Sequence, residues 1–298
     1  MTVTTEVPCI GATKTLVPFR RIFLTGGSGY VGRNLIRHFR DRNMEVVALV
    51  RSAASAETVQ DLGATPYHGD MLSSDIGEGM AGCDALIHAA ADTNHGPGTR
   101  VQTRVNEDGT RIVFEAACKA GIRRAIHISS ESVLADGRPL VHVDESAKLP
   151  RKPAGNYSRS KAAAERIALA SNRPGFAVVA LRPRLVWGRD DTTALPQLCA
   201  AARSGKFAWI DGGTYLTSTT HVPISARRSN SLCLRVGLAR YISFPMASRL
   251  RFASSSRNSW KRKISSQLTR QSHAVCSASL PRLEILSRHY LEAGSNRR

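Results

Sequence analysis

The 298-residue chain contains, close to its start, Thr25-Gly26-Gly27-Ser28-Gly29-Tyr30-Val31-Gly32, which fits the pattern T-G-x-x-G-x-x-G. A short apolar run precedes this glycine motif, and a helical pattern begins within it. Gly26 permits a tight turn, Gly29 lets the backbone approach a pyrophosphate, and Gly32 lets the helix pack closely on the strand. A glycine-rich turn without a ligand is the alternative, but the place between strand and helix favours dinucleotide binding. The residues expected at the dinucleotide are Thr25, Gly26, Gly29, Tyr30, Val31 and Gly32.

Beyond the glycine motif, strand-like and helix-like segments alternate along the chain. Short apolar or β-branched runs predict strands, whereas Ala-rich or 3.6-periodic stretches predict helices. Alternation at this spacing is typical of βαβ units and predicts an α/β fold with a doubly wound, Rossmann-like parallel sheet. We expect strands at 21–25, 45–50, 85–88, 125–129 and 176–181, and helices at 30–39, 110–120 and 156–170.

A tyrosine and a lysine stand four residues apart in Tyr157-Ser158-Arg159-Ser160-Lys161, on the last of these helices. The spacing places both side chains on one helix face, a turn apart. A lysine ammonium beside a phenol favours the phenolate, so we expect Lys161 to lower the pKa of Tyr157 from about 10. Tyr157 can then exchange a proton with a substrate hydroxyl or carbonyl while a hydride moves to or from a nicotinamide. An exposed helix pair without function is the alternative.

The end of the second predicted strand bears on the choice between NAD and NADP. In a NAD-selective site, an acidic residue there accepts hydrogen bonds from the ribose hydroxyls. Here the strand ends in Arg51-Ser52, with no acid. An arginine can pair with a 2′-phosphate, so Arg51 favours NADP, and a solvated surface arginine is the alternative. The expected cofactor is NAD(P), with a preference for NADP.

The glycine motif and the tyrosine–lysine pair together resemble the extended short-chain dehydrogenase/reductases, which include NAD-dependent epimerase/dehydratases and 3β-hydroxysteroid dehydrogenases. The resemblance covers residues 20–222. Within it, the stretch 129–134, Ser-Ser-Glu-Ser-Val-Leu, is similar to the family's S-S-x-x-V-Y-G segment. Aligned on its valine, the catalytic hydroxyl falls on Ser130, which would hydrogen-bond the substrate oxygen, with Ser129 as the runner-up. The resemblance therefore implies a catalytic set of Ser130, Tyr157 and Lys161.

Further segments resemble the same family and extend the cofactor site. Asp70 matches the acid beside the adenine ring, and the alanines after His88 match the segment that lines the cofactor. Asn106 lies in a match to V-N-x-x-G-T and would support the site. The stretch 182–188 resembles the R-P-x-x-V-Y-G segment that passes the nicotinamide. The resemblance adds to the cofactor-binding set Asp70, Ala89, Ala90, Ser129, Tyr157, Lys161 and Pro183.

Composition bears on location and partners. No stretch approaches the run of about 20 apolar residues that a membrane span needs. Six cysteines without C-x-x-C spacing or a metal pattern suit a reducing compartment, so we expect a cytoplasmic protein without metal. Residues 1–18 lack the basic and apolar regions of a signal peptide and are expected to form a flexible leader. The expected partners are a small-molecule substrate and, from the resemblance, a second copy in a homodimer.

Basic residues are concentrated in the last part of the chain, 223–298. This tail holds fifteen Lys and Arg, two Asp and Glu and sixteen Ser residues, and it accounts for thirteen of the nineteen net positive charges. Such a composition is typical of a G+C-rich gene read out of frame, so we predict a frameshift close to residue 223 and a poorly ordered tail. The rival view is a native tail that binds nucleic acid or anionic membrane, which the lack of interleaved aromatic residues disfavours.

The sequence thus predicts four parts: a leader (1–18), an NAD(P)-binding Rossmann domain (19–190), the start of a small, incomplete C-terminal substrate lobe (191–222), and the basic tail. The predicted activity is hydride transfer between a nicotinamide and a carbinol or ketone of a sugar nucleotide, sterol or similar substrate, in a dehydrogenase or in an epimerase/dehydratase cycle. A non-catalytic or inactivated dinucleotide-binding protein is the alternative.

Overall fold

The computed structural model describes residues 19–140, 143–206, 216–234, 241–243 and 250–251. The expected leader and most of the basic tail lie outside these residues. Two compact units divide the chain, and the first comprises residues 1–207 with 217–250. The second comprises residues 208–216 with 251–298, of which only Leu216 and Arg251 are described. The four predicted parts of the chain therefore stay a prediction.

Strands and helices alternate from the first described residues onward. The strands are β1 Arg21–Thr25, β2 Glu45–Val50, β3 Thr65–His68, β4 Ala85–His88, β5 Arg124–Ile128, β6 Ala177–Arg182, β7 Val186–Trp187, β8 Leu216–Thr217, β9 Thr220–His221, β10 Tyr241–Ser243 and β11 Leu250–Arg251. The α-helices are α1 Tyr30–Arg40, α2 Ala53–Gln60, α3 Ile76–Gly79, α4 Arg100–Thr103, α5 Gly109–Lys119, α6 Gly155–Ala170, α7 Ala194–Arg203 and α8 Val222–Leu234. A π-helical turn, Arg104–Asp108, joins α4 to α5, and a 3₁₀ turn, Glu131–Leu134, follows β5.

Seven strands form one sheet in the order β10-β6-β5-β4-β1-β2-β3, and neighbouring strands in it run parallel. Chain order reverses between β1 and β4, which pair with Thr25 opposite His88. The predicted doubly wound parallel sheet is confirmed. In such a sheet, ligands bind outside the carboxyl ends of the strands at the point of reversal.

Both faces of the sheet are covered, as an all-parallel sheet requires. Along β1, Ile22 and Leu24 belong to a cluster with side chains of α1 and α2, whereas Phe23 faces α3 and α5 on the other side. Side chains alternate between the faces of a strand, so the continuous apolar run of β1 serves both layers. In the described part of the basic tail, Ala226 of α8 packs into the first cluster and β10 extends the sheet next to β6.

Candidate active site

The backbone of the glycine motif leaves no room for side chains at Gly26, in the loop after β1, and at Gly32, in the first turn of α1. A Cβ atom on Gly26, whose φ is +74°, would lie 2.7 Å from the backbone nitrogen of Ala90. A Cβ atom on Gly32 would lie 2.7 Å from the Cα atom of Gly27. Gly29 precedes α1 and has no side chain to cap it, so the first N–H groups of the helix keep no intrahelical partner. This bare helix N-terminus, at the reversal point of the sheet, fits the pyrophosphate of a dinucleotide.

A chain of hydrogen bonds beneath the glycine loop fixes the tautomer of His88. The Thr110 hydroxyl donates to the Asn106 carbonyl at 2.6 Å, so its oxygen accepts from Nε2 of His88 at 3.0 Å. Nδ1 of His88 then accepts from the Thr25 hydroxyl at 2.7 Å, and the Thr25 oxygen accepts from the Ala90 amide at 3.2 Å. Burial lowers the pKa of His88 to about 3, which keeps the ring neutral. These hydrogen bonds connect Thr25 to His88, the last residue of β4, and to Ala90, one of the two alanines expected at the cofactor.

Tyr157 and Lys161 lie on α6 as the spacing predicts, and Lys161 is only 3% exposed. Its Nζ atom donates to the carbonyl oxygen of Ile128 at 2.8 Å. Burial lowers the pKa of Lys161 to about 8, against the opposing charge of Glu165. Burial raises the pKa of Tyr157, while a hydrogen bond with the Ser130 side chain acts in the opposite direction. The expectation of a lowered phenol pKa is wrong here, because loss of water outweighs the Ser130 hydrogen bond and the ammonium faces a carbonyl.

The two candidate serines after β5 have different surroundings. The Ser129 hydroxyl donates to Oε2 of Glu165 at 2.6 Å, in the interior. The Ser130 oxygen accepts from the amide of Ser132 at 3.2 Å and from its hydroxyl at 2.9 Å, and it faces the Tyr157 phenol. The structure therefore brings Ser130 to Tyr157 and directs the side chain of Ser129 away from it.

Glu165, on α6, and Arg182, the last residue of β6, form a buried ion pair that the sequence analysis did not predict. Nη2 of Arg182 lies 2.5 Å from Oε1 of Glu165, and the two side chains are 1% and 0% exposed. Glu165 follows Lys161 by four residues and so shares its helix face. This spacing is the signal that could have revealed it, since a charge on a buried helix face needs a partner.

The remaining cofactor candidates lie around the same end of the sheet. Arg51 follows β2, which lies next to β1, and its side chain is exposed. Asp70 is exposed beyond β3 and accepts from the Leu72 amide at 2.9 Å. Tyr30 is buried in the first turn of α1. Burial raises its pKa most, and the negative charges of Asp191 and Asp190 raise it further. Val31 is half-buried beside it, and buried Pro183 accepts from the Glu131 amide at 3.0 Å.

His95, in the loop after β4, is a second side chain that sequence reasoning missed. Its ring lies against that of Tyr157, with centroids 4.4 Å apart and planes inclined by 31°. No periodicity or motif marks a histidine in this short loop with its two glycines, so only the tertiary contact reveals it.

Two absences concern the described residues alone. Nowhere in the described ranges do three His, Cys, Asp or Glu side chains cluster so as to hold a metal ion. None of the helices described has the length and apolar character that crossing a membrane demands.

Comparison with known proteins shows that residues 22–222 match the model of the NAD dependent epimerase/dehydratase family. A 4-hydroxy-2-methyl-3-oxo-4-farnesyl-3,4-dihydroquinoline-1-oxide ketoreductase of Stigmatella aurantiaca is 52% identical over 203 residues, 68% of this chain and 61% of that protein. A 2-alkyl-3-oxoalkanoate reductase of Stenotrophomonas maltophilia is 32% identical over 69% of this chain and 63% of that protein. A decarboxylating sterol-4-alpha-carboxylate 3-dehydrogenase of Dictyostelium discoideum is 30% identical over 68% and 64%.

The chain thus spans less than two thirds of the length of these relatives. Among solved structures, MoeE5 in complex with UDP-glucuronic acid and NAD has 26% sequence identity and a TM-score of 0.66, over 84% of this chain and 82% of that one. The family match covers strands β1 to β6 of the sheet, the glycine loop and α6, and it ends at residue 222, where α8 begins.

Proposed function

The chain belongs to the NAD-dependent epimerase/dehydratase family, and from this premise we propose that it reduces a ketone to a secondary alcohol with NAD(P)H. The observation that carries this proposal is that the Tyr157 phenol lies against the side chain of Ser130. Burial raises the pKa of Tyr157, so the phenol holds its proton at neutral pH. A protonated phenol beside the Ser130 hydroxyl is the arrangement that a carbonyl oxygen needs from a general acid.

The chain's own part in the reaction is to bind the ketone and to protonate it. Ser130 would hydrogen-bond the carbonyl oxygen, and Tyr157 would donate its proton to that oxygen as the alcohol forms. Lys161 would hold its position through the Ile128 carbonyl and offer its remaining N–H groups to the site. When bound, the nicotinamide supplies the hydride. Its dinucleotide would be held by the glycine loop, with Asp70, Ala89, Ala90, Ser129 and Pro183 completing the proposed cofactor site.

For the finer choice of cofactor we propose NADP. Arg51 follows β2, the strand next to β1, and α2 begins directly after it, with the Ser55 amide donating to Ser52 at 3.2 Å. A guanidinium there suits a 2′-phosphate, whereas the position holds no carboxylate to accept from a ribose diol.

The names of the relatives support one substrate class. The ketoreductase acts on a 3-oxo compound with a hydroxyl at carbon 4, and the alkanoate reductase on a 3-oxo acid. The sterol enzyme is a 3-dehydrogenase whose substrate bears a carboxylate at carbon 4. In each compound, a carbon next to the reacting one carries a hydroxyl or carboxyl group. We therefore propose for this chain an apolar ketone with a neighbouring oxygen function.

Turnover by a Tyr157→Phe variant tests the proposal. Oxidation of NADPH would be followed with a 3-oxoalkanoate ester, and NADPH binding would be followed separately by its fluorescence. We expect Tyr157→Phe to lose at least about a hundredfold in kcat, since general-acid catalysis contributes about 10²–10⁴-fold, while the Kd of NADPH stays within about twofold. Full turnover by the variant would instead favour the alternative, a dinucleotide-binding protein in which Tyr157 does no chemistry. A family member acting on sugar nucleotides would turn over a UDP-sugar rather than the ester.

A further inference from the structure

The loop from Asp92 to Gly98 is held tightly in place although it lies largely at the surface. At its start, Asn106, which is 2% exposed, accepts from the Asp92 amide at 2.7 Å and donates to the Asp92 carbonyl at 3.0 Å. Gln102, which is 4% exposed, donates to the Asn94 carbonyl at 2.7 Å. Buried amides that bind the backbone of the first half of the loop restrict its conformation there.

The same loop is hydrogen-bonded to the start of α6, the helix that carries Tyr157 and Lys161. Asn156, the residue before Tyr157, donates to the Gly96 carbonyl at 3.3 Å. A Cβ atom on Gly98 would lie 2.9 Å from the side chain of Asn156, so the glycine permits this close approach. His95 lies in this loop, between Asn94, which the buried Gln102 binds, and Gly96, which Asn156 binds.

His95 is the side chain that this loop presents to the active site. Its ring centroid lies 4.4 Å from that of Tyr157, at the close end of the range for aromatic pairs. The residue is exposed, and within the described part of the chain no hydrogen bond to its ring nitrogens is found. The two rings are tilted by 31° to each other, so the imidazole lies against the phenol ring of Tyr157.

We propose that His95 is a specificity residue that hydrogen-bonds the second oxygen function of the substrate, on the carbon next to the carbonyl. This inference rests on the proposed function, because it places the reacting carbonyl at Tyr157 and Ser130. Because the imidazole lies against the ring of Tyr157, a substituent on the carbon next to a ketone bound at the phenol would come within reach of His95. The guanidinium of Arg184 is held at 3.1 Å by the carboxylate of Glu131, the residue after Ser130, whereas the imidazole of His95 remains available to a ligand.

A pair of matched ligands tests this assignment without requiring turnover. 3-Hydroxyoctanoate and 2-heptanol share the alcohol and differ by the carboxyl group, and with NADPH present neither has an acceptor for its hydride. Calorimetry on the full chain would give the Kd of each ligand for wild type, His95→Phe and His95→Asn. Phenylalanine keeps a ring against Tyr157, and asparagine keeps a hydrogen-bond donor. Thr93→Ala, at an exposed position of the same loop, is the matched control.

We expect His95→Phe to raise the Kd of 3-hydroxyoctanoate about ten- to a hundredfold, as for a lost hydrogen bond to a charged group. The Kd of 2-heptanol should stay within about twofold, His95→Asn should recover part of the loss, and Thr93→Ala should match wild type. Equal losses for both ligands, or no loss for either, would overturn the assignment. If His95 discriminates between the ligands but wild type reduces no ketone, the proposed activity fails while His95 stands as a binding residue.

Discussion

Removing the charge of Glu165 should strongly destabilise the fold. Oε1 and Oε2 of this carboxylate accept from Arg182 at 2.5 Å and 3.0 Å, and Oε2 also accepts from Ser129 at 2.6 Å. Both charged side chains are essentially inaccessible to solvent. Glu165→Gln leaves the guanidinium buried without its counter-charge, which costs about 3–5 kcal/mol. Since 1 kcal/mol shifts Tm by about 2–4 °C in domains of this size, Tm should fall by about 6–20 °C.

Urea unfolding of the full chain, followed by circular dichroism, would measure the loss. The matched control is Glu45→Gln, because Glu45 pairs with Arg21 at 3.6 Å while the two side chains are 69% and 41% exposed. An exposed pair of this kind contributes less than about 1 kcal/mol. A loss below about 1 kcal/mol for Glu165→Gln would refute the reasoning.

A double variant separates the lost pair from lost packing. Glu165→Leu with Arg182→Leu removes both charges, and replacing a buried pair by apolar residues is often neutral or stabilising by about 1–4 kcal/mol. We expect the double variant to be more stable than either single variant. Additive losses would show that the two side chains act independently.

Three further predictions concern the lysine, the glycine loop and the cofactor. Burial lowers the pKa of Lys161 from 10.5 to about 8, so between these pH values the unfolded chain binds more protons than the folded one. The free energy of unfolding should therefore gain about 3 kcal/mol from this group as pH rises from 8 to 10.5, and Lys161→Met should remove that gain in urea titrations. Gly32→Ala should weaken NADPH binding at least about tenfold, because its Cβ would lie 2.7 Å from Gly27. Gly77→Ala, with its nearest atom at 3.9 Å, should match wild type, and equal effects would contradict the steric argument. Arg51→Ala should weaken NADPH about ten- to a hundredfold and leave NADH within about twofold in fluorescence titrations; equal losses would mean that Arg51 does not contact the 2′-phosphate.

Local pattern was sufficient for five of the seven strands described in the sheet, for the glycine loop and for the Tyr157–Lys161 pair. The periods of strands and helices and the positive φ of Gly26 depend on residues that follow one another in the chain, so the sequence shows them directly. The predicted strand at 45–50 and the helix at 156–170 agree with the structure to within a residue. The helix α2 went unpredicted because its eight residues carry little apolar periodicity, although it packs beside β2 and β3 and is capped by Ser52.

Long-range packing decided what the local pattern left open. Glu165 draws the hydroxyl of Ser129 into the interior and leaves Ser130 at the phenol, although the two serines are adjacent in the chain. The pKa of Tyr157 rises because the residues packed around α6 exclude water from the phenol, and a local pattern does not show which residues these are. His95 meets Tyr157 across more than sixty residues of chain, through a loop whose position depends on Asn106 and Gln102. Spacing along the chain determines which side chains share a helix face, but which groups lose water, and which meet across the chain, depends on the folded interior.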